Sequence, residues 1–548
     1  MRVIIVGAGV SGLNMLYTLQ KYASQVSYVI YDKNPECGGT WYENRYPGCA
    51  SDDPSHHYQY SHTPNPSWSS VFAPAGEIKE YLNRFIDKND LRNNIKTGYS
   101  VSSAEWHEGC GEWVVKVRDE RTGSDLEDRG QVLVDATGIF NNWVWPTIKG
   151  LHAFKGPLIH TANWPKDFDH HGKTVAVLGN GATGVQLVPA MQPDVKKLIH
   201  CIRSRTWIAG PSEPVQFCQQ FTTDSSDRFP EEWKQNLLDN PEEYAKLLSD
   251  IDHLCKKERF KTILNGSNEA LHSLVTITEY MKQELEEKPE LIDILIPTGP
   301  VGCRRITSSV GYLKSLCALN VEVAKTQIQA VSTTGILLES GEHIEVDAII
   351  CATGFNTSFV PRYPVLGDNG RNLQDEWREE NGGPIAYMSV MAEGMPNYFR
   401  LLGPNGPLAH GAIPRISTHI CDYVLAHIRK MQFEHLASVR PLPSAVEDFN
   451  EHVQTFMPRT AWDGKGCGGW YKSKNVNGSE QKVIALHPGS QTHWEKMLAN
   501  VRWEDFEFRA KSGRQTNRFG YLGNGFAVSE VDNGQQSDSE LDKVRFCI

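Results

Sequence analysis

The sequence predicts an α/β protein made of two Rossmann-like dinucleotide-binding domains with a helical insertion. Three observations carry that expectation. A glycine-rich turn between a strand-like and a helix-like run occurs at Gly7 and again at Gly179. At 548 residues the chain exceeds what one hydrophobic core fills, so more than one domain is needed. A charged, amphipathic stretch then interrupts the α/β pattern after the second turn.

In the first unit, Val3-Ile4-Ile5-Val6 reads as a strand and leads into Gly7-Ala8-Gly9-Val10-Ser11-Gly12, with a helix pattern to Tyr22 and a second strand over 26–31. A lone G-x-G-x-x-G is weak evidence, but here it stands between strand and helix as its mechanism demands. Gly7 makes the tight turn, Gly9 lets backbone approach a pyrophosphate, and Gly12 permits close helix packing. The helix N-terminus then faces the phosphates. Asp32, twenty residues after Gly12, supplies a carboxylate for ribose hydroxyls.

The second unit begins with a strand over 174–178, then Gly179, Asn180, Gly181, Ala182, Thr183 and Gly184, a helix, and a strand over 197–202. Nineteen residues after Gly184 stands Arg203, not an acid, with Ser204 beside it as a hydroxyl donor. A cation there suits a 2′-phosphate and cannot accept from a free ribose hydroxyl. An acid in one unit and an arginine in the other predict FAD in the first and NADPH in the second. Ala136-Thr137-Gly138 and Ala352-Thr353-Gly354 follow strand-like runs on either side of the second unit and read as tight turns where the chain crosses between domains.

Segments 231–238, 242–257 and 268–287 read as helices of an insertion. After Pro361 the chain is rich in Gly, Pro and Asn, and reads as a return to the first domain with long loops. The expected division is 1–140 and 361–530 for the FAD domain and its active-site loops, and 141–215 and 298–360 for the NADP domain. The insertion is 216–297, and 531–548 is a polar, disordered tail.

A net charge of −11, from 55 Lys+Arg against 66 Asp+Glu, argues against a nucleic-acid partner. No apolar run reaches the roughly 18 residues of a membrane span, and a strand beginning at Val3 leaves no room for a leader peptide, so a cytoplasmic protein is expected, and a monomer is compatible with the sequence. The twelve cysteines are scattered, without C-x-x-C, and are expected to be free thiols. The pairs His56-His57 and His170-His171 lack the carboxylates or cysteines that would complete a metal site, so no metal is expected.

Two longer patterns make a resemblance specific. Phe154, Gly156, His160, Trp164 and Pro165 form F-x-G-x-x-x-H-x-x-x-W-P, and the run from Gly38 and Gly39 through Thr40-Trp41-Tyr42 to Asp52 matches a second pattern. In these the chain resembles the type I Baeyer–Villiger monooxygenases, flavoproteins of fungal-type style here. The resemblance implies that NADPH reduces FAD, that oxygen forms a C4a-peroxyflavin, and that a ketone is converted to an ester or lactone through a Criegee-type adduct. It places Arg305, in Gly302-Cys303-Arg304-Arg305, as the active-site cation and Asp52 as the carboxylate orienting it. A peroxide anion needs a fixed cation that cannot deliver a proton, which arginine provides. Gly39, Thr40, Trp41, Asp52, Tyr58 and Val101 fall where the family contacts FAD. Arg304 and Arg305 fall beside NADP, and Trp470 at a loop covering it. The resemblance makes His160 a structural residue of the hinge between domains. Residues 403–410, small or apolar in part, resemble the substrate loop and suit a hydrophobic ketone, with molecular oxygen as co-substrate. Ser51 stands where relatives often have Cys, and Arg304 where bacterial ones often have Lys.

Alternatives stay open. An N- or S-oxygenating flavin monooxygenase would use the same cofactors, but usually lacks the Trp164 and Arg305 equivalents. An uncoupled NADPH oxidase or a non-catalytic FAD- and NADP-binding relative would release only peroxide or nothing. A disulfide reductase of this architecture would need a reactive cysteine pair.

Overall fold

The computed structural model describes residues 1–548 except 224–226, 258, 310, 325, 410, 465–467, 474–480, 512–518, 520–521 and 523–548. The expected polar tail 531–548 and His410 of the substrate loop therefore lie outside the described residues.

Two five-stranded parallel sheets form the frame. In the first, Arg2–Val6 lies between Ser27–Asp32 and Val132–Asp135, with Ile95–Thr97 and Tyr398–Arg400 outermost. In the second, Thr174–Leu178 lies between Lys197–Cys201 and Ala348–Cys351, with Val321–Ala324 and Leu158–His160 outermost. These strands are continuous apolar runs because helices or loops cover both faces of a parallel sheet. The second sheet shows it directly. Val175, Val177 and Ile350 enter one core, whereas Ala176, Leu178, Ile349 and Cys351 enter another. Alternation of side chains along each strand separates the two.

The insertion carries the helices Glu231–Asp239, Pro241–Lys256 and Asn268–Glu284. The last is shorter than its pattern predicts. It ends before Leu285, which leaves helical geometry with its amide on the Gln283 carbonyl.

Two further features depart from expectation. The antiparallel strands Tyr99–His107, Glu112–Asp119 and Asp125–Gly130 form a sheet with Val365–Leu366 that the glycine-turn reading does not predict. The region after Pro361 also contains the 21-residue helix Ile413–Phe433, with Pro443–Phe456 and Gln491–Ala499. Ile416, Ile420, Val424 and Ile428, all unexposed, repeat every fourth residue along the long helix and pack it on Val10–Tyr22.

No helix among the described residues is long and apolar enough to cross a membrane. Among the described residues nine cysteines are free, but Cys303 is in a disulfide, correcting the uniform free-thiol expectation. Local spacing cannot exclude a bridge, because pairing depends on Cα approach in the folded chain.

Candidate active site

Each sheet presents a glycine turn at the carboxyl end of its central strand. Gly7 has φ +105°, and a Cβ on it would stand 2.6 Å from the carbonyl oxygen of Ala136; Gly179 repeats this with φ +104° and the carbonyl oxygen of Ala352 at 2.6 Å. The two Ala-Thr-Gly turns are thus the floors against which the glycine turns close, a reason for the motif that sequence alone did not supply. Gly12 and Gly184 hold their helices so near that a Cβ would fall 1.9 Å and 2.1 Å from the carbonyl oxygens of Gly7 and Gly179. Both following helices begin at a glycine, Gly9 or Gly181, with no side chain capping their N–H groups. Those free donors and the helix dipole are what a pyrophosphate uses. Ala182 and Thr183 form the first turn of the second helix.

Gly39 meets the first turn from the other side. Its φ is +54°, a Cβ there would approach the Gly9 Cα to 2.9 Å, and Gly38 donates to the Ala8 carbonyl at 3.0 Å. Thr40 and Trp41 open the short helix Thr40–Glu43 directly after it. Asp32 is buried and accepts from the Ala8 and Asn34 amides at 2.7 and 2.8 Å, one on each oxygen. Burial raises its carboxyl above the usual range, against the pull of those two donors.

Arg305 and Asp52 meet across 253 positions of sequence in a two-pronged ion pair, Nη2 to Oδ1 at 3.0 Å and Nη1 to Oδ2 at 2.6 Å. The Asp52 charge raises the guanidinium pKa despite desolvation, so Arg305 stays cationic. Asp52 is set by a local turn in which Ser51 Oγ donates to the Asp53 carbonyl at 3.0 Å, while the Ser51 amide bonds the Ala73 carbonyl. Trp41 Nε1 donates to the Tyr58 hydroxyl at 3.2 Å, joining the first glycine turn to the Asp52 loop. Burial raises the Tyr58 phenol, so it is neutral.

Arg304 lies within electrostatic reach of Arg203, which follows the second strand of the second unit. Burial, then the positive charge of Arg203, lowers its pKa, which places two guanidiniums in one neighbourhood. An anion between them would relieve that repulsion. Arg203 is exposed, and Asn180 of the glycine turn donates to the Ser204 carbonyl at 3.0 Å. Trp470 is half-buried, its ring edge-on to Phe140 with centroids 5.0 Å apart, and its carbonyl accepts from Thr357 Oγ1 at 2.7 Å.

Other positions stand apart. Val101 pairs with Val117 in the antiparallel sheet and packs on the first core, with no hydrogen bond to the glycine turn or Asp52. His160 is buried, stacks on Trp143 at 4.7 Å and accepts the Ala162 amide on Nδ1 at 3.2 Å. Burial lowers its pKa to about 4, so it is neutral. Among the described residues no group of three or more His, Cys, Asp or Glu could hold a metal ion. Residues 403–408 are buried, and Asn405 ties them to the Val483 and Leu486 carbonyls at 3.0 and 3.2 Å.

Sequence reasoning missed three residues that build this site. Tyr46 donates to Gln186 Oε1 at 2.8 Å, and Gln186 Nε2 donates to the Ala50 carbonyl at 2.9 Å, bonding the two domains. Tyr471 donates to the Gly302 carbonyl. Tyr46 and Tyr471 lie inside or beside the quoted motifs, but a motif says nothing of partners 140 or more positions away.

A family model described as an NAD(P)-binding Rossmann-like domain matches residues 5–75. The chain is 38% identical over 531 residues to the FAD-binding monooxygenase tazF of Aspergillus terreus, covering 96% of this chain and 91% of that protein. It is 32% identical over 475 residues to a Baeyer-Villiger monooxygenase of Pseudomonas aeruginosa, covering 86% and 85%. Among solved structures, cyclohexanone monooxygenase from Rhodococcus sp. Phi1 bound to NADP+ superimposes with a TM-score of 0.79 at 24% identity, covering 93% of this chain and 99% of that one. At that identity the match speaks for the fold.

Proposed function

Since the chain belongs to the family of FAD-binding monooxygenases that includes Baeyer–Villiger enzymes, we propose that it uses NADPH and molecular oxygen to convert a hydrophobic ketone into an ester or lactone in the cytoplasm. The observation that carries this reading is the two-pronged Arg305–Asp52 pair, a permanent cation within electrostatic reach of Tyr58, which Trp41 joins to the segment after Gly39.

The residues fit the two cofactors. Gly7, Gly9, Gly12 and Gly39 leave bare backbone and free N–H donors for the FAD pyrophosphate, with Asp32 toward the ribose and Thr40, Trp41 and Tyr58 lining the approach to Asp52. Gly179, Gly181, Ala182, Thr183 and Gly184 do the same for NADPH, and Arg203, Ser204 and Arg304 take its 2′-phosphate. We assign 1–140 and 361–530 to the FAD domain and 141–215 and 298–360 to the NADP domain. Bound FAD, reduced by NADPH, supplies the electrons and the atom at which oxygen is activated.

The chain supplies the rest. Arg305 holds a positive charge where negative oxygen develops and carries no proton that it can release, so it stabilises an anion without quenching it. Asp52 fixes the guanidinium plane, so little reorganisation accompanies reaction. By the family resemblance, the buried residues 403–408 are assigned to the substrate loop, where they would offer a mainly apolar wall.

The test is turnover of the FAD-loaded protein with NADPH, oxygen, linear, cyclic and aryl ketones, and one thioether. Ester or lactone that disappears in Arg305→Ala is expected. Sulfoxide with no ester, or peroxide equal to all NADPH consumed, would overturn the proposal.

A further inference from the structure

The turn that carries Arg304 and Arg305 is held by a residue outside it. Gly302 stands there with φ +89°, and Cys303 is anchored by its disulfide. Tyr471 has no exposed surface, and its hydroxyl reaches two consecutive carbonyl oxygens of this turn, Gly302 at 2.8 Å and Cys303. A phenol has one proton to donate, so the two carbonyls share it. Burial raises the Tyr471 phenol, which keeps that proton in place. Its neighbour Trp470 is tied by Thr357 from the other side, and Gly468 lies so near Arg304 that a Cβ there would stand 3.7 Å from Nη2.

We propose that Tyr471 is a positioning residue that couples the Trp470 segment to the Arg304–Arg305 turn, so that NADP binding at Trp470 and the placement of both guanidiniums are set together. The hydroxyl, not the ring, is the coupling element: the ring fills core, whereas the O–H bonds the 302–303 carbonyls from the Trp470 segment. Tyr471 acts through Arg304 and Arg305. The inference rests on the proposed reading that Arg304 and Trp470 face NADPH.

The experiment is a double-mutant cycle on the FAD-loaded enzyme, with NADP+ affinity read from perturbation of the flavin absorbance. Tyr471→Phe keeps the ring and removes one hydrogen bond. It is expected to weaken NADP+ about fivefold, with FAD content unchanged. In an Arg304→Ala background the same substitution is expected to change affinity by less than about twofold, because the residue it positions is gone. A purely structural contribution would weaken both backgrounds alike, and that result, or no effect of Tyr471→Phe in the parent, overturns the proposal. A second measurement needs no variant. Amide hydrogen exchange of residues 302–305 and 468–473 should slow together on adding NADP+; slowing confined to 468–473 overturns the coupling. Neither readout uses a ketone, so failure to find ester leaves this test standing, and failure here leaves the ketone reaction standing.

Discussion

At the scale of single residues, the site is a contrast between cations with different partners. Arg305 is clasped by Asp52, whereas Arg304 is opposed by Arg203. The first arrangement keeps a charge fixed during reaction, and the second leaves room for an anionic ligand. Arg305→Ala should lower ester formation by about 10²-fold or more, the scale for loss of a preorganised charge donor, while NADPH oxidation continues with release of peroxide. Asp52→Asn should cost about tenfold, since the cation survives but its orientation loosens; product and peroxide assays on the same samples separate the two. Arg203→Ala should raise the KM for NADPH by about 10-fold and leave that for NADH nearly unchanged, which steady-state kinetics with both coenzymes will show. Spacing after Gly184 singles out Arg203, and the fold brings it within electrostatic reach of Arg304. The Arg305–Asp52 contact was legible only through the family resemblance, because no local rule joins residues 253 positions apart.

At the scale of elements, glycine positions divide into those that serve the fold and those that serve the ligand. A Cβ on Gly9 would meet nothing nearer than the Gly39 Cα at 3.5 Å, whereas one on Gly12 would fall 1.9 Å from the Gly7 carbonyl oxygen. Gly9→Ala should therefore fold with near-parent thermal stability yet bind FAD poorly, while Gly12→Ala should lose thermal stability whatever the FAD concentration. Thermal unfolding with and without added FAD distinguishes them, and equal stability of the two variants would refute the division. Both Rossmann units were readable from glycine spacing and apolar runs. The antiparallel sheet was overlooked although Trp113, Val115 and Val117 alternate inward along its central strand. The long helix Ile413–Phe433 was hidden by the glycine and proline content around it, not by any weakness of its own pattern.

At the scale of the molecule, the insertion is docked by an apolar cluster that includes Val71 and Tyr244, and by charge. Lys256 on Pro241–Lys256 pairs with Glu495 at 3.1 Å, His419 reaches the same carboxylate at 3.5 Å, and Arg415 pairs with Asp252 at 3.0 Å. Burial works against the Glu495 carboxylate, but the His419 and Lys256 partners prevail and hold its pKa down to about 2. A carboxyl depressed in the folded state contributes stability above its unfolded pKa and loses it as pH falls toward the folded value. Glu495→Gln should therefore destabilise the protein by about 1–3 kcal/mol at neutral pH. The difference should close as pH falls from about 4.5 toward 2. Denaturant titrations at several pH values check this; a pH-independent difference would point to packing instead.

The sequence by itself determined the α/β class and the two glycine turns, because these depend on local periodicity and on backbone conformations that few residue types adopt. Tertiary structure alone decided which groups meet: Arg305 with Asp52, Gly7 with Ala136, Tyr471 with Gly302, Lys256 with Glu495. Such meetings follow from how sheets and helices pack in three dimensions, and chain spacing does not encode the distance between segments brought together only by a shared core.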